Sequence, residues 1–427
     1  MNKYITWICN GIMAMTKDLK KAAGLVGWLT LLLLAVTHSD KVYHIYNDNI
    51  PGLDQILKME YKFGIIIGIA VSTFLILMMY GMPIQAIGKT KALERIGLKN
   101  RIGEVPYLLA YSKEGRVRTF DFASCGIPLE DWKNKQPDLE AVLNLTIESM
   151  TYISGTQRIR IRAVPALSDL PAMIRWNNWN IPAGDFILAL GEGLTGKVTV
   201  NLAISNSILI GGSTGSGKSV LLRSLLYQAS WKGADIVLAD FKGAVDYTDV
   251  WTKMCKIVTD PDSLEMQLQQ LIRTLEDRKK LFKTEQVRNI HEYNEKYPNK
   301  KINRVIFACD EVAELLDKTG ADKSRKEQIS RVEGYLSTVA RQGRAFGIHL
   351  ILSTQRPDAN ILSGQIKNNI DTRICGTADN VLSMIILDNT EAAEKIPSDI
   401  QGRFITKEGV LFQGYYLTDD DVARAFD

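Results

Sequence analysis

Residues Gly211 to Val220, GGSTGSGKSV, lie near the middle of a 427-residue chain, and the reading of the rest turns on them. They follow the apolar run Ser207 to Ile210 and precede LLRSLLYQ, Leu221 to Gln228, a stretch of helix formers with apolar residues at helical spacing. In the order strand, glycine loop, helix, the pattern G-x-x-x-x-G-K-S is a phosphate cradle. Gly212, Gly215 and Gly217 let successive N–H groups curl around a β-phosphate at a helix N-terminus, where a Cβ would block the approach. Ser213, Thr214, Ser216 and Val220 complete the nucleotide-binding set. Lys218 reaches the β and γ oxygens as a point charge, and the Ser219 hydroxyl is a ligand for Mg²⁺. ATP and Mg²⁺ are the expected cofactors.

A cradle alone hydrolyses nothing. The run RVIFACDE, Arg304 to Glu311, supplies an apolar strand ending in two carboxylates, at the strand end where α/β proteins bind ligands. On a strand neighbouring the cradle, Asp310 is expected to hold the metal with Ser219, and Glu311 to polarise the attacking water as general base. A third strand, His349 to Thr354, ends at Gln355, whose amide is placed to sense the γ-phosphate.

Composition sets outer limits. With 46% apolar and 23% charged residues the chain is ordered and long enough for two or three domains. Its net charge of +4, from 52 basic and 48 acidic residues, means that nucleic-acid binding must come from local clusters. Cys9, Cys125, Cys255, Cys309 and Cys375 form no C-x-x-C pair, which argues against a disulfide framework or a zinc site and for reduced core thiols.

The first 98 residues read as a membrane region. AAGLVGWLTLLLLAVT (Ala22 to Thr37) and FGIIIGIAVSTFLILMMYGMP (Phe63 to Pro83) contain no charge, which predicts a hairpin of two transmembrane helices at about 22–38 and 63–83. Lysines precede the first run and Lys89, Lys91, Arg95, Lys99 and Arg101 follow the second, so the N-terminus and everything after the hairpin are expected in the cytoplasm, making a multi-pass protein of the cell membrane. A signal peptide is the rival reading of the first run, but no small-residue cleavage site follows it. Residues 99–185 read as an α/β linker domain. In it TQRIRIRAV, Thr156 to Val164, puts Arg158, Arg160 and Arg162 on one face of a strand, either a nucleic-acid surface or a charge-protected edge strand. WNNWNIPAGD, Trp176 to Asp185, marks the join to a motor domain at 186–427.

The segment LSTVARQGRAFGIHLILSTQRPDANILSGQIKNNIDTRI, Leu336 to Ile374, closely resembles the motor core of the FtsK/SpoIIIE family of DNA translocases. IVLADFKG (Ile236 to Gly243), IVTD (Ile257 to Asp260), the stretch from Glu276 to Lys296 and GVLFQGYYLTDDDV (Gly409 to Val422) extend the resemblance over roughly 230 residues. The resemblance implies a RecA-like P-loop fold of the α/β class, a hexameric ring of identical subunits around DNA, and ATP sites shared between neighbours. It assigns Lys218 and Ser219 to the phosphate loop, Asp310 and Glu311 to metal and base, and Gln355 to the sensor. Arg344 falls where the family places an arginine that reaches the neighbouring subunit's γ-phosphate, and Arg356 and Lys367 on a DNA-contacting pore loop.

The differences from the family also carry information. The chain stops at Asp427, so no sequence-reading guide module is expected, and a charged insertion, Lys318 to Arg331, reads as either a mobile loop or a basic pore loop. Two spans and one motor look most like the FtsK-like coupling proteins of conjugative elements in Gram-positive bacteria, which would make a relaxase and secretion-channel proteins the partners. A chromosome or spore DNA translocase without its own guide, an FtsK-like protein-secretion ATPase, and a nucleotide-gated membrane scaffold are the alternatives.

Overall fold

The computed structural model describes residues 3–38, 54–83, 86–166, 168–243, 247–355 and 364–424, and the chain divides into two compact units, Met1–Leu167 and Ser168–Asp427. In the first unit, helices Lys3–Lys17, Leu19–Thr37, Asp54–Gly81 and Ala86–Arg95 precede a four-stranded antiparallel sheet. Among the described residues one helix segment, Lys62–Gly81, is long and apolar enough to cross a membrane, and it leaves Phe63, Ile66, Ile67, Val71 and Phe74 exposed. The expected first span does form the helix Leu19–Thr37, but it includes Lys20 and Lys21. Its uncharged remainder covers about 24 Å at 1.5 Å per residue, short of the ~30 Å hydrocarbon core. The two-span hairpin is therefore supported at one of its two helices.

The small sheet has the order β1-β2-β4-β3, with β1 Leu108–Glu114, β2 Val117–Ala123, β3 Leu145–Ile153 and β4 Arg158–Pro165. Arg158, Arg160 and Arg162 do share a face of β4, but β4 lies between β2 and β3, so it is not an edge strand. Arg160 spends its charge on a bidentate pair with the buried Asp121, at 2.7 and 2.8 Å.

The second unit is a three-layer α/β domain. Its long sheet runs β10-β9-β11-β12-β8-β13-β14-β15-β6-β7, with β5 (Ile174–Arg175) joined to β15. The strands are β6 Ile187–Gly193, β7 Gly196–Asn201, β8 Ser207–Gly211, β9 Asp235–Ala239, β10 Cys255–Val258, β11 Val305–Cys309, β12 Ile348–Thr354, β13 Thr372–Cys375, β14 Arg403–Thr406 and β15 Leu411–Tyr416. From β10 to β13 all neighbours are parallel; the remaining four strands are antiparallel. All five residues of β8 are buried because both faces are covered, which explains a continuous apolar run instead of alternation. Ile208 and Ile210 pack with Leu221, Leu222, Leu225 and Leu226 of the helix Lys218–Trp231, while Leu209 faces the helices Pro261–Glu285 and Lys323–Gln342 on the other side. Each such side chain contributes about 1.5–3 kcal/mol on burial.

Residues 168–185, assigned to the linker on sequence, pack with this unit: β5 pairs with β15, and Trp176 meets Tyr227 and Tyr415 edge-on at 5.6 Å. Most of the charged insertion is helix rather than loop, from Lys323 onward. Asp322 caps the helix Lys323–Gln342 by accepting from the Arg325 N–H, and Arg331 holds Glu265 of the adjacent helix at 2.6 Å, with Lys318 on Glu333 at 3.1 Å.

Candidate functional site

The parallel register brings the chemistry to one edge. Gly211 of β8 is level with Thr354 of β12 and Cys375 of β13, and Cys309 of β11 is level with Leu352 and with Ala239 of β9. The residues that follow each strand therefore meet. The carboxylate strand β11 is not the direct neighbour of β8, as the sequence reading had it; β12 runs between them. That intervening strand inserts Thr354 and Gln355 between the cradle and the carboxylates.

In the cradle Gly212, Gly215 and Gly217 have φ of 149°, 78° and 98°, and a Cβ on Gly212 would stand 2.6 Å from Ser216 Oγ. Neighbouring loops hold it from outside: Ser213 N–H donates to Thr377 O at 2.7 Å, and Gly402 N–H to Ser216 O at 3.0 Å. Lys218 is buried at 8% exposure, with Nζ donating to Gly212 O (2.7 Å) and Ser213 O (2.9 Å) of its own loop. Burial lowers its pKa, opposed by the charges of Glu311 and Asp310. Ser219 Oγ donates to Asp310 Oδ1 and Oδ2 at 3.1 and 3.2 Å, so the two expected metal ligands are in contact.

Glu311 is 4% exposed and tied at both oxygens. Oε1 accepts from Thr354 Oγ1 (2.8 Å) and the Ala313 N–H (3.3 Å), and Oε2 from the Gln355 N–H (3.0 Å). Gln355 Oε1 accepts from Thr214 Oγ1 at 2.9 Å, which joins the third strand's end to the phosphate loop. The sequence reading missed Thr354 as the group that orients Glu311. It also missed Lys242, whose Nζ lies 3.8 Å from Asp310 Oδ2. The signal for Lys242 was its place just after β9, at the same edge as the other strand ends.

These residues fit a magnesium nucleotide. The Ser216 hydroxyl is buried without a protein partner inside the cradle, and the glycine positions leave room that a side chain would fill. Ser219 and Asp310 offer oxygen ligands of the kind Mg²⁺ takes, and phosphates and water would supply the rest. Beyond the cradle a cavity of about 300 Å³ opens between Gly217, Val220, Gln401, Gly402, Phe404 and Tyr416.

Arg344 stands elsewhere. It opens the short turn Arg344–Phe346 before β12, and its Nη1 donates to Ile204 O at 3.1 Å, before the start of β8. The seven residues of β12 separate it from Gln355, about 20 Å at ~3.3 Å per residue, so it does not meet the cradle of its own chain. Buried Arg278 anchors that turn, donating to Phe346 O (2.6 Å) and Asn303 O (2.7 Å). Arg288 and Arg344 line one open cavity of about 510 Å³ with Asp185, Asn201, Asn289 and Ala345. Lys367 ends the helix Gly364–Lys367 and bonds Asp388; Arg356 lies outside the described residues.

A parallel sheet that carries a glycine cradle on its central strand, and a buried Asp-Glu pair two strands away, defines a P-loop ATPase. Residues 169–359 match the FtsK/SpoIIIE family model. The chain is 33% identical to the conjugation coupling protein TcpA of pCW3, solved as a monomer form with ATPγS, with a TM-score of 0.59 over 80% of this chain and 99% of that one. It belongs to the FtsK/SpoIIIE family. It is also 34% identical to the DNA translocase FtsK of Caldanaerobacter subterraneus subsp. tengcongensis over 53% of this chain, and 31% identical to that of Clostridium acetobutylicum over 73%. The chain spans 34% and 44% of the length of those two relatives.

Proposed function

We propose that this protein is a membrane-anchored, ATP-driven DNA translocase, acting as the coupling protein that delivers DNA to a conjugative secretion channel. The observation that carries the reading is the split of one ATPase apparatus between two edges of a sheet. Lys218, Ser219, Asp310, Glu311 and Gln355 converge at one edge and Arg344 stands at the other. An arginine so placed serves a neighbouring copy's nucleotide, which makes a closed ring, hexameric by analogy with the family, the assembly in which every site is complete.

Within a site Lys218 and the loop N–H groups would hold the triphosphate, Ser219 and Asp310 would hold Mg²⁺, and the base would enter the cavity beside Val220 and Tyr416. A metal held by Ser219 and Asp310 would supply charge neutralisation to the triphosphate. Glu311, aligned by Thr354 and the Gln355 N–H, accepts a proton from the attacking water, and Gln355 links the state of the phosphate loop to β12. Likeness to TcpA along 99% of its chain favours conjugative DNA over chromosomal DNA as the cargo. The apolar helix Lys62–Gly81, with Leu19–Thr37 as its partner, would anchor the protein with both termini in the cytoplasm, beside a relaxase and the secretion channel.

ATP turnover by the full-length protein in lipid nanodiscs, measured with and without duplex or single-stranded DNA, tests the motor. Stimulation by DNA is expected, and an oligomeric preparation whose rate ignores both forms would sink the reading. Loss of plasmid transfer on replacement of Lys218, with host division unaffected, distinguishes conjugation from chromosome transport.

A further inference from the structure

The helix Lys3–Lys17 takes no part in the ATPase site, and at about 22 Å it is too short to cross a bilayer. Its only charged residues are Lys3 and Lys17, at its two ends. Two of its sides are occupied. Trp7, 7% exposed, donates from Nε1 to Leu108 O at 3.3 Å, and Asn10 donates from Nδ2 to Leu109 O at 3.0 Å, so the helix is fastened to β1. Gly11 meets the helix Asp54–Gly81 backbone to backbone: a Cβ on Gly11 would overlap Leu77 O, and one on Gly81 would overlap Trp7 O. The remaining side carries Ile5, Cys9, Ile12 and Met13, whose spacing puts them on one helical face. Ile5, Ile12 and Met13 are 55%, 49% and 55% exposed, and Cys9 is exposed with them.

The crossing point says what covers that face. Leu77 and Gly81 belong to Lys62–Gly81, the segment long and apolar enough to span a membrane, and Leu77 lies four residues, about 6 Å, inside its end. A helix that touches the span there sits where headgroups meet acyl chains, the depth of about 5–10 Å at which interfacial helices bury an apolar face. Leu75 and Met79 of the span are exposed at the same level, so the apolar surfaces of the two helices share one depth. No acidic residue precedes Asp18, and Lys20 and Lys21 follow it, cations that an anionic leaflet attracts.

We propose that the helix Lys3–Lys17 lies at the cytoplasmic surface of the bilayer with Ile5, Cys9, Ile12 and Met13 against lipid, and that it docks the four-stranded sheet on the membrane through Trp7 and Asn10. The proposal rests on the membrane-anchored reading and adds to it a membrane contact that neither expected span supplies. A single span leaves the domain after it free to swivel. A second contact, locked to that span at Gly11 and to β1 at Trp7, removes the freedom.

A nitroxide on Cys9 of the full-length protein in liposomes containing anionic lipid tests it, in a Cys125→Ser background; Cys255, Cys309 and Cys375 are buried. Frequent collisions with dissolved oxygen and few with a water-soluble nickel chelate are expected, the pattern of a lipid-facing site. A label on Lys113→Cys, at an exposed position of β1, should show the reverse. Ile5→Asp combined with Ile12→Asp should raise the nickel collision rate at Cys9 several-fold while the protein stays in the liposomes. Frequent nickel collisions at Cys9 in the otherwise unaltered protein would mean water, and few collisions with either reagent would mean protein, a second copy included; each overturns the proposal and leaves the span standing. Wild-type protein that alkaline carbonate strips from the liposomes overturns the membrane anchor and this contact together. Should the double variant not fold, the two label positions decide alone.

Discussion

The two edges of the motor sheet are built on opposite plans. At the edge where β8, β11 and β12 end, the functional groups come from the segments that follow the strands, and contacts of 2.7–3.3 Å hold Lys218 to its own loop, Ser219 to Asp310, and Glu311 to Thr354 and the Gln355 N–H. At the other edge Arg344 is held by relays from distant segments: Arg278 to Phe346 O, Arg304 to Asp185 at 2.6 Å, and Arg304 to His349, whose Nδ1 donates to Asn206 O at 3.1 Å. The first edge can grip a ligand by itself. The second leaves the Arg344 guanidinium exposed, and on the function proposed above it acts only on the nucleotide of another copy.

If that division is right, damage to the first edge is absolute and damage to the second depends on neighbours. Lys218→Ala should bring ATP turnover to background, a loss of about 10³-fold or more, and abolish binding of a fluorescent ATP analogue. Glu311→Gln should lose turnover to a similar degree yet still bind the analogue, because the cradle is intact. Arg344→Ala should cost about 10³-fold in turnover with nucleotide binding preserved. Mixing it with Lys218→Ala subunits should restore activity at interfaces that pair a sound cradle with a sound arginine. Turnover that stays at the sum of the two separate variants would show that Arg344 acts within its own chain or not at all. Thr354→Val, which removes one of the donors to Glu311, should lower turnover about tenfold while leaving binding unchanged, a measure of orientation alone.

The same division decides what could be read from the sequence. The glycine loop, the Asp310-Glu311 pair and Gln355 were legible because each sits at a fixed offset from an apolar run, so local pattern and chemistry coincide. Strand order was not legible. Nothing in RVIFACDE says that β12 separates it from β8, and the role of Thr354 follows only from that insertion. Arg278 and His349 were invisible for a related reason: their partners are 25 to 143 residues distant, and several are carbonyl groups, which leave no trace in residue type. Of the two expected membrane spans, one is long and apolar enough among the described residues; the first forms a helix, Leu19–Thr37, whose uncharged part is short, so its role was not legible from lack of charge alone.

The smallest effect concerns the buried relay under Arg344. His349 is fully buried; burial, reinforced by the Arg304 charge, pushes its pKa down to about 3, against an ordinary value near 6.5. The imidazole is neutral in the fold, donating from Nδ1 to Asn206 O and accepting from Arg304 at Nε2. An unfolded chain takes up the proton below about pH 6.5 while the folded one refuses it, so stability is full above that pH and falls as pH drops toward 3, by at most about 1.4 kcal/mol per pH unit. His349→Gln offers an amide donor and acceptor in the same place without a titrating group. It should cost about 1 kcal/mol at neutral pH and show a flatter loss of stability between pH 6.5 and 5 in denaturant unfolding. Parallel pH profiles for the two proteins would mean that the relay opens to water below Arg344, and that the second edge is held less rigidly than its buried bonds imply.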